Sequence, residues 1–438
     1  MSLSPEEVAA REKEKPLTIA MVVDSIGNRG NGTSNSALQY AEELRAQGHT
    51  VRFVGIGAPE YRARIHHIPL VSFIAAKQQM AFAQPSEDLF DRAFDGVDVV
   101  HIYLPFKFGR EAMKAARARG IAVTAGFHLQ PENVTYSAGL QRIPGLPRFI
   151  YWLFRKWFYR RVDHVHVPTQ CGAELLRKHH YENTLHVISN GYEPRFTPRG
   201  DSYGEKAEET EAASNAGTVA ESAAGVEMLQ PDIAELGMGV REDLSDEVGQ
   251  THEFPTLRRP FRIVASGRLS NEKDHVTLLK AVALSRYSED IEVSIAGQGP
   301  LKRRLRRYAL RFLDNPAVIG FHPNAHMPEF LRSGDLFVHP SIADLESLSV
   351  IEAMAVGLVP VIADSPLSAA GQFSLCEESS FPVQDAQALA DRIDWWIEHP
   401  RERRRWGGIY ARHTLENYSV RASIRKFVQM EREAIADA

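Results

Sequence analysis

The stretch His339-Pro-Ser-Ile-Ala-Asp-Leu-Glu-Ser-Leu-Ser-Val-Ile-Glu-Ala-Met-Ala-Val-Gly-Leu-Val-Pro-Val-Ile-Ala363 reads as strand, loop, helix, turn and strand. The apolar runs 336–339 and 359–363 are the strands, and the segment that opens at Ser347 is the helix. Ser347 suits the N-cap. A helix starting there presents free backbone N–H groups around Ser347 and Leu348, and the positive end of its dipole, to an anion. Glu352 lies further along this helix, where its carboxylate can accept two ribose hydroxyls. Asp344, in the loop before the helix, can accept the hydroxyls of a sugar. The plain structural reading of the same stretch is a capping serine and surface acids on an ordinary strand–helix unit.

Similar units surround this one. In the second half, 262–265 and 292–296 read as further strands, and 386–397 and 420–434 as helices. In the first half, 17–23 reads as a buried strand, followed by the loop Gly27-Asn-Arg-Gly-Asn-Gly32 and a helix over 34–47. Gly48 ends that helix, and 51–54 is the next strand. Short apolar strands at 98–103, 122–127 and 165–167 alternate with helical patterns. Such alternation argues for α/β architecture with parallel, doubly wound sheets.

Between the halves the pattern stops. Residues 199–255 are rich in Glu and Asp, with Ala, Ser and Gly between them and almost no aromatics. Composition of this kind cannot bury enough apolar surface to offset the entropy of ordering, so a flexible acidic insert is expected. The expected organisation is a charged tail over 1–16, a first α/β domain over 17–198, the insert, a second α/β domain over 256–400, and C-terminal helices over 401–438 that pack back on the first domain. Two α/β halves of this kind suggest a ligand cleft between them.

The bulk properties exclude several classes. The chain has 438 residues and a formal charge of −5, so no strong basic field points to nucleic acid. Two cysteines, Cys171 and Cys376, cannot build a disulfide framework and suit a reducing cytoplasm. The start of the chain lacks the apolar core of a signal peptide, and no apolar run is long enough to span a membrane as a helix. No Asp-x-Asp and no His/Cys cluster at ligand spacing is present, so no metal and no cofactor is expected.

A second chemical segment is Gly267-Arg-Leu-Ser-Asn-Glu-Lys273, which follows the predicted strand 262–265. Arg268 and Lys273 are cations at a strand end. Taken with Asp344, seven residues, and then Glu352-Ala-Met-Ala-x-Gly-x-x-Pro-Val, this resembles the E-x7-E signature of the retaining family 4 glycosyltransferases, also called glycosyl transferases group 1. The resemblance covers residues 17 to about 430 apart from the insert. It is similar to the subgroup with glycolipid and capsular-polysaccharide transferases.

The resemblance implies a GT-B fold, two Rossmann-like domains facing across a cleft. It implies hexosyl transfer from a UDP- or GDP-sugar to a lipid or glycan acceptor, with retention of configuration and without a metal. Asp344 would read the donor sugar and Glu352 the ribose, while Arg268 and Lys273 would hold the diphosphate. Asp344 is one methylene shorter than the family's usual Glu, and Glu346, two residues on, has that length. Gly267, Ser347 and Leu348 fall in the same donor-binding segments. Gly30, Gly32 and Thr33 of the glycine-rich loop would face the phosphates. His128, after the strand 122–127, would lie near the reacting carbon. Asn190, in Val187-Ile-Ser-Asn-Gly-Tyr192, and Gly299, in Ala296-Gly-Gln-Gly-Pro300, match turns of the family.

Two rival readings are a GT-B nucleotide-sugar epimerase, which needs no acceptor, and a non-catalytic nucleotide-sugar-binding module. The segment Phe149-Ile-Tyr-Trp-Leu-Phe-Arg-Lys-Trp-Phe-Tyr-Arg-Arg161 mixes rings and bases. A buried helix whose bases reach for solvent is the expected reading. An interfacial helix on anionic lipid is the alternative, and it would place a cytoplasmic protein peripherally on the inner face of the membrane.

Overall fold

The computed structural model describes residues 15–26, 32–66, 81–137, 139–198 and 259–438. Most of the charged tail, the loop residue Gly30 and the acidic insert lie outside the described residues.

The first sheet contains β1 (Thr18–Ser25), β2 (Thr50–Ile56), β3 (Tyr61–Arg62), β4 (Val99–Ile102), β5 (Ala122–Gly126), β6 (His164–Val167) and β7 (Thr184–Val187). They lie in the order β3-β2-β1-β4-β5-β6-β7, all parallel. The second sheet contains β8 (Phe261–Ser266), β9 (Ile291–Ala296), β10 (Val318–Gly320), β11 (Leu336–His339), β13 (Pro360–Asp364) and β15 (Ser380–Pro382), in the order β10-β9-β8-β11-β13-β15. Its strands are parallel too. A short pair, β12 (Ala343–Asp344) with β14 (Leu367–Ser368), stands apart. The central strands are nearly continuous apolar runs because helices cover both faces of a parallel sheet. The strands absent from the sequence reading, β3, β7, β10, β12, β14 and β15, are short; β7 is half-exposed along its length, so no apolar run marks it.

The α-helices among the described residues are α1 (Gly32–Ala46), α2 (Glu87–Phe94), α3 (Lys107–Arg117), α4 (Pro131–Ser137), α5 (Leu146–Trp157), α6 (Gln170–Lys178), α7 (His275–Leu284), α8 (Lys302–Phe312), α9 (Met327–Arg332), α10 (Leu348–Ala355), α11 (Ala386–Glu398), α12 (Pro400–Tyr418) and α13 (Val420–Ala436). At the end of α1, Gly48 takes φ +89 while its N–H reaches the Arg45 carbonyl and the His49 N–H reaches that of Leu44, a left-handed stop that favours glycine.

One face of the first sheet packs against α1 and α13, with Tyr40, Leu44, Ile424, Phe427 and Met430 in a common core. The other face packs against α2, α3 and α5, and Leu345 from the second half joins that core. Helix α12 lies on α10, where a Cβ on Gly407 would come within 2.4 Å of the Gly357 carbonyl oxygen. After Ser419 the chain crosses to the first sheet, with a bridge between Tyr192 and Ser419. Of the two C-terminal helices, α13 is thus the one seated on the first sheet.

Candidate active site

In both sheets the strand order reverses direction beside the first strand, between β1 and β4 and between β8 and β11. Ligands of doubly wound sheets bind outside the carboxyl ends of strands at such switch points. The two motifs read from the sequence leave the ends of β8 and β11, so topology brings Gly267–Lys273 and the 340–348 loop to one place.

The loop after β8 is braced by the turn after β9. The Leu269 N–H donates to the Gln298 carbonyl at 2.8 Å, and the Leu301 N–H donates to the Leu269 carbonyl at 3.0 Å. A Cβ on Gly299 would lie 2.4 Å from the Leu269 carbonyl oxygen, so this close approach requires glycine. Within the loop, Arg268 donates to Glu272 at 2.5 Å, and the Ser270 hydroxyl donates to the same Glu272 oxygen at 2.6 Å. Glu272 is fully buried while Arg268 remains 31% exposed, so the carboxylate anchors a guanidinium that still faces outward.

Lys273 donates to Asp344, and His339 Nε2 lies 3.2 Å from the same carboxylate oxygen. Burial pushes the Asp344 carboxyl up, but Lys273 and then His339 outweigh it and hold the group well below the usual carboxylate range. The imidazole of His339 is itself pushed down by burial and by Lys273. Asp344 is not in a free loop, as the sequence reading had it. It sits in the short pair with Leu367 and Ser368, which is tied further by the Ser365 hydroxyl donating to the Ile342 carbonyl at 2.5 Å.

Ser347 stands at the head of α10, but its hydroxyl does not cap the helix. It meets His339 Nε2 at 3.1 Å instead, and its backbone is in the left-handed region at φ +69 and ψ +58. A non-glycine residue held there costs on the order of 1–3 kcal/mol, and such strain clusters at functional sites. The strain leaves the first amides of α10, at Leu348 and Ser349, without a side-chain cap, as an anion site requires.

Glu346 points to the first half. Its Oε1 accepts from the Ser189 hydroxyl at 2.6 Å and the Asn190 N–H at 2.8 Å, and its Oε2 accepts from the Asn190 side-chain amide. Burial raises it to about 7. Asn190 in turn accepts from the Ser36 hydroxyl of α1 at 2.5 Å. Two further links join the halves: the Thr169 hydroxyl donates to the Leu345 carbonyl at 2.9 Å, and Gln130 donates to that of Leu367 at 3.0 Å.

Glu352 is half-buried on α10. Burial, and then the charge of Glu193, push its carboxyl up to about 8, with Arg195 opposing. Gly32 opens α1 and Thr33 follows it half-buried. His128 stacks on Tyr103 at 5.0 Å and meets the edge of His166 at 5.1 Å, with its Nε2 turned into the protein. The structure therefore gathers Gly267, Arg268, Lys273, Asp344, Ser347 and Leu348 around one switch point. Asn190 and Glu346 form the joint to the first half. Glu272 and His339 were quoted inside the sequence motifs yet carried no assigned role; each acts by holding a neighbour, which local spacing does not reveal.

Helix α5 departs from the expected buried reading. Tyr151 and Phe154 are buried, but Phe149, Trp152, Leu153 and Trp157 are exposed on its outer face. Among the described residues no helix is long and apolar enough to cross a membrane.

Residues 251–413 match the glycosyl transferases group 1 family model, and residues 30–196 match that of glycosyltransferase family 4. A GDP-mannose-dependent alpha-mannosyltransferase of Mycolicibacterium smegmatis is 25% identical over 357 residues, 79% of each chain. Sulfoquinovosyl transferase of Arabidopsis thaliana is 31% identical over 172 residues, 37% of this chain and 32% of that protein. Sucrose-phosphate synthase of Thermosynechococcus elongatus superimposes with a TM-score of 0.65 at 16% identity, covering 96% of this chain and 100% of that one. Anabaena HepE in complex with UDP-glucose gives a TM-score of 0.64 at 14% identity, with 96% and 100% covered. The chain belongs to the family 4 glycosyltransferases, with a glycosyl transferases group 1 domain in its second half, and is a transferase of GT-B fold.

Proposed function

We propose that this glycosyltransferase moves a hexose from a UDP- or GDP-sugar to a lipid or glycan acceptor, with retention of anomeric configuration. The observation that carries the reading is the ionised Asp344 held between Lys273 and His339, beside Arg268 and the uncapped head of α10. Such a site offers an acceptor for sugar hydroxyls and donors for a diphosphate within a few residues of each other.

In this reading Arg268, Lys273 and the amides of Leu348 and Ser349 hold the diphosphate. They stabilise the charge that gathers on it as the glycosidic bond breaks, so no metal is needed for the transfer. Asp344 orients the sugar, and Glu352 takes the ribose hydroxyls. His128 presents Nδ1 to the sugar, because its Nε2 faces inward. Gly30, Gly32 and Thr33 border the phosphates. The acceptor hydroxyl attacks from the face the nucleotide leaves, and the departing phosphate takes its proton.

GDP-mannose is the first donor to try, since the mycobacterial relative is named for it. The exposed rings of α5, with Lys156 and Arg160 beside them, favour a peripheral lipid surface and hence a lipid acceptor. The test is a screen of nucleotide sugars for a rise in melting temperature, followed by transfer to lipid and glycan acceptors with the product's anomeric configuration read by proton NMR. An inverted product sinks the retaining mechanism. Isomerised donor with no transfer to any acceptor sinks transfer in favour of epimerisation.

A further inference from the structure

We propose that His101, His128 and His166 form a binding site for a divalent transition cation, zinc foremost, under the carboxyl half of the first sheet. The site shares His128 with the donor reading, but none of its support comes from the switch point of the second sheet.

The three histidines come from three neighbouring strands. His101 lies in β4, His166 in β6, and His128 two residues past the end of β5. Register places His101 beside Thr124 and Gly126 beside His166. One ring nitrogen from each histidine lies within 4.8 Å of the other two. Separately, His101 Nε2, His128 Nε2 and His166 Nδ1 are buried and have no hydrogen-bond partner among the described residues. Orphaned buried imidazole nitrogens are costly unless something binds them, because buried polar atoms are nearly always paired.

The other nitrogens set the tautomers that a metal needs. His101 Nδ1 lies 2.8 Å from the Thr124 hydroxyl and 3.1 Å from the Glu431 carboxylate. His166 Nε2 donates to the Ile188 carbonyl at 2.6 Å. Each proton is thereby drawn to the outer nitrogen, and the inner one keeps its lone pair. A carboxylate or carbonyl behind a ligating imidazole is the usual support of a metal-bound histidine.

Charge points the same way. Glu431 is fully buried on α13, and its partners among the described residues are the Thr124 hydroxyl and the His101 ring. A buried carboxylate requires a nearby cation. Three imidazoles without a thiolate suit Zn2+, with Co2+ and Ni2+ as competitors, and leave one tetrahedral position for water. Phe427 of α13 stands edge-on to His101 at 4.9 Å, so one side of the cluster is apolar. The bound ion would pin β4, β5 and β6 to one another and, through Glu431, to the last helix. A second group, His164, His186 and Glu433, does not qualify: His164 Nδ1 and His186 Nε2 bond each other at 3.0 Å, and Asp437 takes the remaining His164 nitrogen.

The test uses the full chain after treatment with EDTA. Co2+ alone is titrated while visible absorption is recorded, and Zn2+ alone is titrated by calorimetry. The expected result is one equivalent bound with a visible cobalt band, and a higher melting temperature with Zn2+. His166→Gln should abolish the band, and Glu431→Gln should weaken binding about 10- to 100-fold. His186→Ala should leave it unchanged. Circular dichroism checks that each variant is folded, and the half-buried His128→Gln serves if His166→Gln is not. Absence of saturable binding to the wild-type chain would overturn the proposal. A band that survives in folded His166→Gln and His128→Gln, or that disappears in His186→Ala, overturns it as well.

Discussion

Glu346 is locked to Asn190: the Asn190 N–H donates to one carboxylate oxygen at 2.8 Å and the Asn190 side-chain amide donates to the other. With the Ser189 hydroxyl on the first oxygen as well, both oxygens of Glu346 are engaged by the first half of the chain. Asp344, two residues earlier, faces Lys273 and His339. The two acids thus divide their work, one joining the halves and one paired with Lys273 and His339. Asp344→Asn is expected to lower turnover roughly 10- to 100-fold while affinity for the free nucleoside diphosphate stays almost unchanged. Glu346→Gln sets an amide against the Asn190 donors and should cost about 1–3 kcal/mol of stability, with a smaller loss of turnover in the folded protein. Melting curves and kinetics on both variants check this; a crippled Glu346→Gln beside a mild Asp344→Asn would exchange their roles.

Arg268 is anchored by the buried Glu272 at 2.5 Å and stays 31% exposed. Arg268→Ala should reduce turnover by roughly 10- to 100-fold and donor affinity by less, because charge on the leaving group grows only as the bond breaks. Unchanged turnover at saturating donor would remove Arg268 from the mechanism.

Glu352 carries a pH signature. Burial and Glu193 raise it from 4.5 to about 8 in the folded chain. The folded state therefore holds the proton more tightly than the unfolded one. The stability this group contributes is fully present below about 4.5 and is lost as pH rises through about 8. The melting temperature of Glu352→Gln should gain on that of the wild type between pH 5 and pH 9, by a stability difference on the order of 1 kcal/mol or more. Ribose hydroxyls favour the carboxylate, so affinity of the wild type for the free nucleotide should climb with pH up to about 8 and that of the variant should stay flat. Parallel profiles for the two proteins would show that Glu352 does not meet the ribose.

The outer face of α5 should bind membranes. Phe149 and Trp152 stack at 5.7 Å and are 55% and 45% exposed. Lys156 lies over the Trp152 ring at 5.0 Å. Sedimentation with anionic vesicles should capture the protein, less so at high salt. Phe149→Ser with Trp152→Ser should abolish capture, and Lys156→Ser with Arg160→Ser should weaken it. Equal recovery with neutral and anionic vesicles, or with none, would count against an interfacial helix.

Much of the candidate site was legible because it is local. Gly267, Arg268 and Lys273 follow one strand, and Asp344, Ser347 and Glu352 belong to one strand–helix unit, so spacing along the chain already sets their order. Strand ends and helix caps are legible for the same reason: burial on both faces of a parallel sheet demands apolar runs, and a left-handed stop favours a glycine such as Gly48. Apolar runs and their alternation with helical patterns therefore determined the central strands and the α/β class from the sequence by itself, and local spacing set the order of the candidate-site residues. Only the tertiary structure decided which partners meet across it. It paired Lys273 with Asp344 over 71 positions, spent Glu346 on Asn190 over 156, turned Trp152 outward, and drew His101, His128 and His166 together. Those neighbours are set by the order and register of parallel strands, each separated from the next by a whole helix, and no local period in the chain encodes that distance.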